Sequence, residues 1–229
     1  MKEAFAGRTA VVTGGASGIG RAIGQQLVRR GAQVWLADID GEAARKAAGE
    51  MGGPGAALGV AVDVRDAQAV HALVASVFDA SGRLDFMFNN AGIALFGDVR
   101  LMSLDQWRDL IDVNVVGVVN GIDAAYPRMI EQGHGHIVNT ASAAGLIPVP
   151  YNTAYSATKH AVVGLSLALR IEAERYGVRV SVVCPGVVDT PIKDRMSVLG
   201  VTREELLAST TAYLYSAGSR RSPFAKHST

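Results

Sequence analysis

Short apolar runs alternate along the chain with longer stretches in which apolar positions recur every three or four residues. Six runs are nearly continuous in Val, Ala, Leu and Ile: TAVVT (9–13), QVWLAD (33–38), AALGVAVDV (56–64), LDFMFNN (84–90), HIVNTAS (136–142) and VRVSVVCP (178–185). Runs without in–out alternation suit strands covered on both faces, as in a parallel sheet between helix layers. The stretches 18–30, 41–51, 66–81, 103–132 and 153–176 between them have helix length. Ser103 and Gln106 are spaced as a capping box, and Gly31, Gly133 and Gly177 stand where left-handed residues end helices. Repeated β-α units of this kind predict right-handed crossovers and an α/β fold, a three-layer, doubly wound parallel sheet of about six strands.

Composition narrows the function classes. A net charge of +1 provides no field that would draw the chain to nucleic acid or an acidic membrane. Cys184, the single cysteine, excludes an internal disulfide and suits a reducing compartment. No apolar run reaches membrane-spanning length, since LIDVNVVGVV is interrupted by Asp112 and Asn114, and no signal-peptide core precedes the first glycines. The expectation is a cytoplasmic single domain. His134 and His136 flank a glycine with no Cys or carboxylate at ligand spacing, so no metal site is expected.

TGGASGIG, residues 13–20, falls where the first strand passes into the first helix. In that place Gly14 allows a tight turn, Gly18 lets the backbone approach a pyrophosphate, and Gly20 permits close helix–strand packing. The helix N-terminus adds free N–H groups and partial positive charge. Asp38 ends the second strand, where a carboxylate accepts hydrogen bonds from ribose hydroxyls and repels a 2′-phosphate. Ser17, Ile39 and Asp40 bring no basic residue to offset it, which favours NAD over NADP. Asp40 is the better placed of the two aspartates to cap the next helix.

In YNTAYSATKHA, residues 151–161, helical spacing puts Tyr155 and Lys159 on one face. Tyr151 lies ahead of the helix, as a pocket-wall or turn residue. Drawing a phenol from its ordinary pKa near 10 toward neutrality takes roughly 4 kcal/mol. One ammonium about 4 Å away, at an effective dielectric near 20, supplies about that much. Tyr155 is thereby the candidate general acid/base. Ser142, after the HIVNTAS strand, falls at the same C-terminal end of the sheet, where its hydroxyl can hold a substrate oxygen.

Together these motifs resemble the short-chain dehydrogenase/reductases, in their single-domain NAD(P)-dependent, Rossmann-type form. The resemblance runs from about residue 7 to 191, through TGGASGIG, Asp63-Val64, NNAG (89–92), Asn114, Ser142, YSATK (155–159) and PGVVDT (185–190). It implies a catalytic tetrad of Asn114, Ser142, Tyr155 and Lys159, with Asn114 holding a relay water behind Lys159, which also holds the nicotinamide ribose. It further implies cofactor contacts from Gly14, Ser17, Gly18, Ile19, Gly20, Asp38 and Ile39, from Asp63 and Val64 at the adenine, and from Asn90, Ala91 and Gly92. Tyr155, Lys159, Pro185 and Gly186 complete the set, with Val188 and Thr190 at the carboxamide. The activity implied is hydride transfer between a nicotinamide and a secondary alcohol or ketone.

The pattern departs from the family after Thr190, where 39 residues remain. Residues 1–191 form the dinucleotide-binding and catalytic unit, and 192–218 a lid region with one helix from 201, opened by a Thr202–Glu205 capping box. Residues 219–229 are expected to be a disordered tail, and the family's usual seventh strand to be missing. The assembly expected is a homodimer through helices 103–132 and 153–176. Ile93, Leu95, Phe96, Ala143, Ala144, Leu146, Val149 and Tyr151, with Met196, Val198 and Leu199 in a mobile lid, predict an apolar substrate pocket. The alternative is a catalytically idle nucleotide-binding regulator, which would have no use for an intact tetrad.

Overall fold

The apolar runs form the strands of the main sheet; four start with their run, that of 84–90 two residues into it and that of 136–142 one residue before it. β1 (Thr9–Thr13) and β2 (Gln33–Asp38) match their runs end to end. β3 (Ala56–Ala61), β4 (Phe86–Asn89), β6 (Gly135–Thr140) and β7 (Val178–Val183) stop short of them, because the last residues leave the sheet to line a cleft. The structure, a computed structural model, describes residues 4–53, 55–189, 197–202 and 204–205. Among these the main sheet has six strands, all parallel, in the order β3-β2-β1-β4-β6-β7. No seventh strand joins it among the described residues.

α1 (Gly18–Arg29) and α2 (Gly41–Gly49) pack on one face of the sheet, around Val12, Leu27, Val34 and Leu36. α3 (Ala67–Ser81), α5 (Gly117–Gln132) and α6 (Thr153–Glu174) cover the other, around Val11, Met87, Met129 and Ile137. Consecutive residues of β1 thus enter opposite cores, which is why its run shows no alternation. Asp40 caps α2 by accepting from the Ala43 N–H, and Ser103 with Gln106 forms the capping box of α4 (Leu104–Ile111). Gly133 is the left-handed C-cap of α5 (φ 72°).

Two features were not legible in the pattern. The helix predicted over 103–132 is interrupted by a π-helical turn at Asp112–Val116, in which the Gly117 N–H reaches back to Asp112. A second, two-stranded parallel sheet joins β5 (Leu95–Gly97) to β8 (Ser197–Leu199). Val198 and Leu199, expected in a mobile lid, are therefore strand residues. The Thr202–Glu205 capping box is present, with the Glu205 N–H donating to the Thr202 hydroxyl and the Thr202 N–H to the Glu205 carboxylate. Thr190, Met196, most of the predicted 201–218 helix and the 219–229 tail lie outside the described residues.

Candidate active site

The strand ends and the turns that follow them open onto one cleft of about 480 Å³. Gly14, Ser17, Gly18, Ile19, Asp38, Ile39, Asp63, Val64, Asn90, Ala91, Gly92, Ser142, Tyr155, Lys159, Pro185, Gly186 and Val188 all line it. Of the residues singled out in the sequence, Gly20 and Asn114 stand just behind the wall. A Cβ at Gly20 would lie 2.2 Å from the Gly14 carbonyl oxygen, so this glycine is what allows α1 to start against the turn. Arg65, Asp109 and Val113 also line the cleft and carry no motif that would have marked them.

The glycine turn is held from two sides. Thr13 Oγ1 accepts from the N–H groups of Asn90 (2.9 Å) and Ala91 (3.0 Å), and the Asn90 amide donates to the Thr13 carbonyl at 3.0 Å. The Asp38 carboxylate accepts from Ala16 N (3.1 Å) and Asp40 N (3.2 Å). A carboxylate has about four acceptor positions, so it keeps capacity for ribose hydroxyls. Ser17, the N-cap of α1, makes no side-chain cap bond, and the first turn contains no acidic residue. This donor-rich helix end, with a carboxylate at the end of the next strand, fits a dinucleotide.

At the other end of the cleft, Lys159 is 4% exposed and donates to the Thr140 carbonyl at 3.1 Å. Its Nζ stands 5.5 Å from the centroid of the Tyr155 ring. Burial draws the Lys159 pKa down to about 8, against an opposing pull from Cys184. Burial likewise pushes the Tyr155 phenol above its ordinary value, while a hydrogen bond with the Ser142 hydroxyl pulls it back. Desolvation disfavours the charged form of both groups, and one of the three donors of the Lys159 ammonium goes to the Thr140 carbonyl.

Asn114, fully buried, sits in the π-helical turn with its side chain committed to protein. Its Oδ1 accepts from Ile93 N at 2.9 Å, and its Nδ2 donates to Ile93 O at 2.9 Å and Thr158 Oγ1 at 3.2 Å. Tyr151 is a turn residue with φ 58°, and its carbonyl accepts from Gly97 N at 2.8 Å. Tyr155 packs on a buried apolar cluster of Leu95, Met102, Trp107, Leu110, Ala154 and Leu199, with the Phe96 ring 5.7 Å from its own ring. Of the residues expected to form an apolar pocket, Ile93 lines the cleft, whereas Leu95 and Leu199 belong to this core beneath it. Met102, Trp107 and Leu110 were missed because only tertiary packing brings α4 there. Among the described residues no cluster of three or more His, Cys, Asp or Glu side chains is arranged to hold a metal ion, and no helix is long and apolar enough to cross a membrane.

A parallel sheet with a glycine turn at one end of its cleft and Ser, Tyr and Lys at the other defines a nucleotide-dependent oxidoreductase fold. The family model described as short chain dehydrogenase matches residues 8–198, and the chain belongs to that family. The chain is 39% identical over 193 residues to oxidoreductase UcpA of Salmonella typhimurium, covering 83% of this chain and 73% of the relative. It is 42% identical over 193 residues to a 2,5-dichloro-2,5-cyclohexadiene-1,4-diol dehydrogenase of Sphingobium indicum, covering 83% and 76%. Among solved structures, a short chain dehydrogenase/reductase from Burkholderia phymatum in complex with NAD superposes with a TM-score of 0.80 at 34% identity, over 96% of this chain and 82% of that one. These relatives support an NAD(P)-linked oxidoreductase, and none favours an idle regulator.

Proposed function

We propose that the protein transfers a hydride between NAD(H) and the carbon of an apolar secondary alcohol or ketone, with Tyr155 as general acid/base. The observation that carries this reading is the placement of Ser142, Tyr155 and Lys159 at one end of the cleft whose other end holds Asp38 and the bare N-terminus of α1. A bound nicotinamide supplies the hydride chemistry. The chain's part is to hold the substrate oxygen between the Ser142 hydroxyl and the Tyr155 phenol. In reduction the protonated phenol donates its proton to the developing alkoxide, and burial keeps it protonated and ready to do so. In oxidation it takes the alcohol proton, and the positive charge of Lys159 favours the phenolate.

Lys159 also stands where a nicotinamide ribose would be held, and Asp63 and Val64 where an adenine would lie. Asp38, with no basic neighbour at Ser17, Ile39 or Asp40, selects NAD by repelling a 2′-phosphate. Ile93 lines the cleft with Tyr155, and a buried apolar cluster backs that tyrosine, which favours an uncharged substrate of moderate size. A relative is named for a cyclic diol, so cyclohexanol and 1,2-cyclohexanediol head the substrate screen.

Exposed apolar side chains on three helices, Leu104 and Ile111 on α4, Val119 on α5 and Leu167 and Ile171 on α6, support a homodimer through these helices.

Titration with NADH and with NADPH, followed by nicotinamide fluorescence, tests the cofactor reading. Saturable NADH binding at least about tenfold tighter than NADPH is expected; equal or tighter NADPH binding would overturn the role given to Asp38. Tyr155→Phe is expected to lower turnover by at least about a hundredfold with NADH binding kept. Turnover that survives this change refutes the acid/base assignment.

A further inference from the structure

The first turn of α6 carries Tyr155, yet it lacks the cap that such a turn ordinarily has. Asn152 stands at the N-cap position and is 6% exposed, but its side chain makes no capping bond. Its Oδ1 is buried with no hydrogen-bond partner among the described residues, as is Ser156 Oγ one turn later. Tyr151, just before it, is the only non-glycine residue at positive φ among the described residues. A turn that is uncapped and entered through a strained residue should fray, and a general acid cannot sit on a fraying turn.

A tie from inside the protein takes the place of the cap. The Thr158 hydroxyl donates to the Tyr155 carbonyl at 2.7 Å and accepts from Asn114 Nδ2 at 3.2 Å. Asn114 in turn grips both the N–H and the carbonyl of Ile93, each at 2.9 Å. Thr158 and Asn114 are 2% and 0% exposed, so no water competes for these bonds. The hydroxyl proton is spent on Tyr155, so only its lone pairs face Asn114. That sets the amide with Nδ2 toward Thr158 and Oδ1 toward the Ile93 N–H. The same amide bounds the space beside Gly92, where a Cβ would meet Asn114 Oδ1 at 3.1 Å and Lys159 Nζ at 3.4 Å.

We infer that Thr158 is a positioning residue for Tyr155, its hydroxyl gripping the Tyr155 carbonyl and so tying this uncapped end of α6 through Asn114 to the Ile93 backbone. The inference rests on Tyr155 being the acid/base. Its effect on chemistry passes through the placement of the phenol beside Ser142 in the cleft, where the serine hydroxyl eases ionisation of Tyr155. When the turn loosens, that support weakens and the phenol becomes harder to ionise.

Thr158→Val removes the hydroxyl with little change of shape, and Thr158→Ser restores it. Hydrogen exchange of residues 153–158, measured by mass spectrometry on the full chain, needs no substrate. In Thr158→Val these amides are expected to exchange at least about tenfold faster than in the parent, and in Thr158→Ser at the parent rate. With NAD and cyclohexanol, Thr158→Val is expected to lower kcat about tenfold while KM and NADH affinity change less than about threefold. The alkaline-rising limb of its pH–rate profile should move up by about half a pH unit or more, and Thr158→Ser should return it.

Unchanged exchange in Thr158→Val, or a Thr158→Ser variant that fails to restore it, would sink the inference. If Tyr155→Phe keeps its turnover, the acid/base reading falls and the inference with it. If Tyr155→Phe is inactive while Thr158→Val has a parental pH profile, the inference alone falls. Should Thr158→Val not fold, Thr158→Ala serves in the same comparison.

Discussion

A lysine that is 4% exposed destabilises the fold for as long as it stays charged. The folded Lys159 has a pKa of about 8, below the ordinary 10.5. Between these values the unfolded chain binds a proton that the folded one has released, so raising the pH through that window stabilises the protein. Lys159→Met is therefore expected to raise stability at neutral pH by about 2 kcal/mol, after loss of the Thr140 hydrogen bond. The gain should shrink as the pH climbs from 8 toward 10.5. Urea unfolding at a series of pH values measures it, and a pH-independent gain would mean that Lys159 does not titrate as its burial dictates. Tyr155 and Lys159 could be picked out from their helical spacing together with the glycine turn and Ser142 at the same end of the sheet. Their charge states could not, because desolvation depends on how much chain folds over them.

Among the elements, β5 and β8 show most clearly what local pattern leaves out. Leu95 and Phe96 read as pocket wall, but nothing in three residues announces a strand, and the partner lies about a hundred residues on. The pairing depends on Gly97. Its φ of 140° suits glycine, and a Cβ there would stand 2.3 Å from the Leu199 carbonyl oxygen. Gly97 N also donates to Tyr151 O, and Asp98 N to Leu199 O, so these two adjacent residues join β5 to the turn before α6 and to β8. Gly97→Ala is expected to release Ser197–Leu199, seen as loss of exchange protection at the Asp98 amide, with the main sheet and NADH binding intact. Protection kept at Asp98 would show that β8 does not need the glycine. The π-helical turn at 112–116 was equally hidden. Its apolar spacing continues that of the flanking helices, and the extra residue per turn is set by Asn114 bonding to Ile93 and Thr158.

For the whole molecule, the telling surface is formed by α4, α5 and α6. Ile171 is 77% exposed, Leu104 72% and Leu167 50%, more than isolated surface residues of this kind usually amount to when they lie on adjacent helices. If a second copy covers them, light scattering gives twice the 23.9 kDa chain mass, and Ile171→Asp shifts the protein toward monomer by at least about tenfold in dissociation constant. A parent protein that scatters as a monomer would overturn the dimer. Asp85 illustrates the opposite end of the molecule. Buried at 4% exposure, it accepts from Thr9 N, Arg8 and Arg83 and so locks β1 to the start of β4, away from the cleft.

The chain's own pattern was enough to determine six strands of a parallel sheet, the helical stretches between them apart from the break at 112–116, the caps at Asp40, Ser103, Gly133 and Thr202, and the glycine turn. All of these rest on interactions spanning a few residues, or on which faces must be buried, and both are written in consecutive positions. It also marked nearly every cleft residue drawn from a strand end, because a parallel sheet collects those ends on one side. Only the tertiary structure decided what lies between distant segments: Thr13 under Asn90, Thr158 against Asn114, Gly97 beneath Leu199, and α4 beside Tyr155. Only it decided that burial pushes the Tyr155 phenol up and draws Lys159 down. Each of these is a contact or a desolvation between residues far apart in the chain, and such distances leave no periodic trace in the order of amino acids.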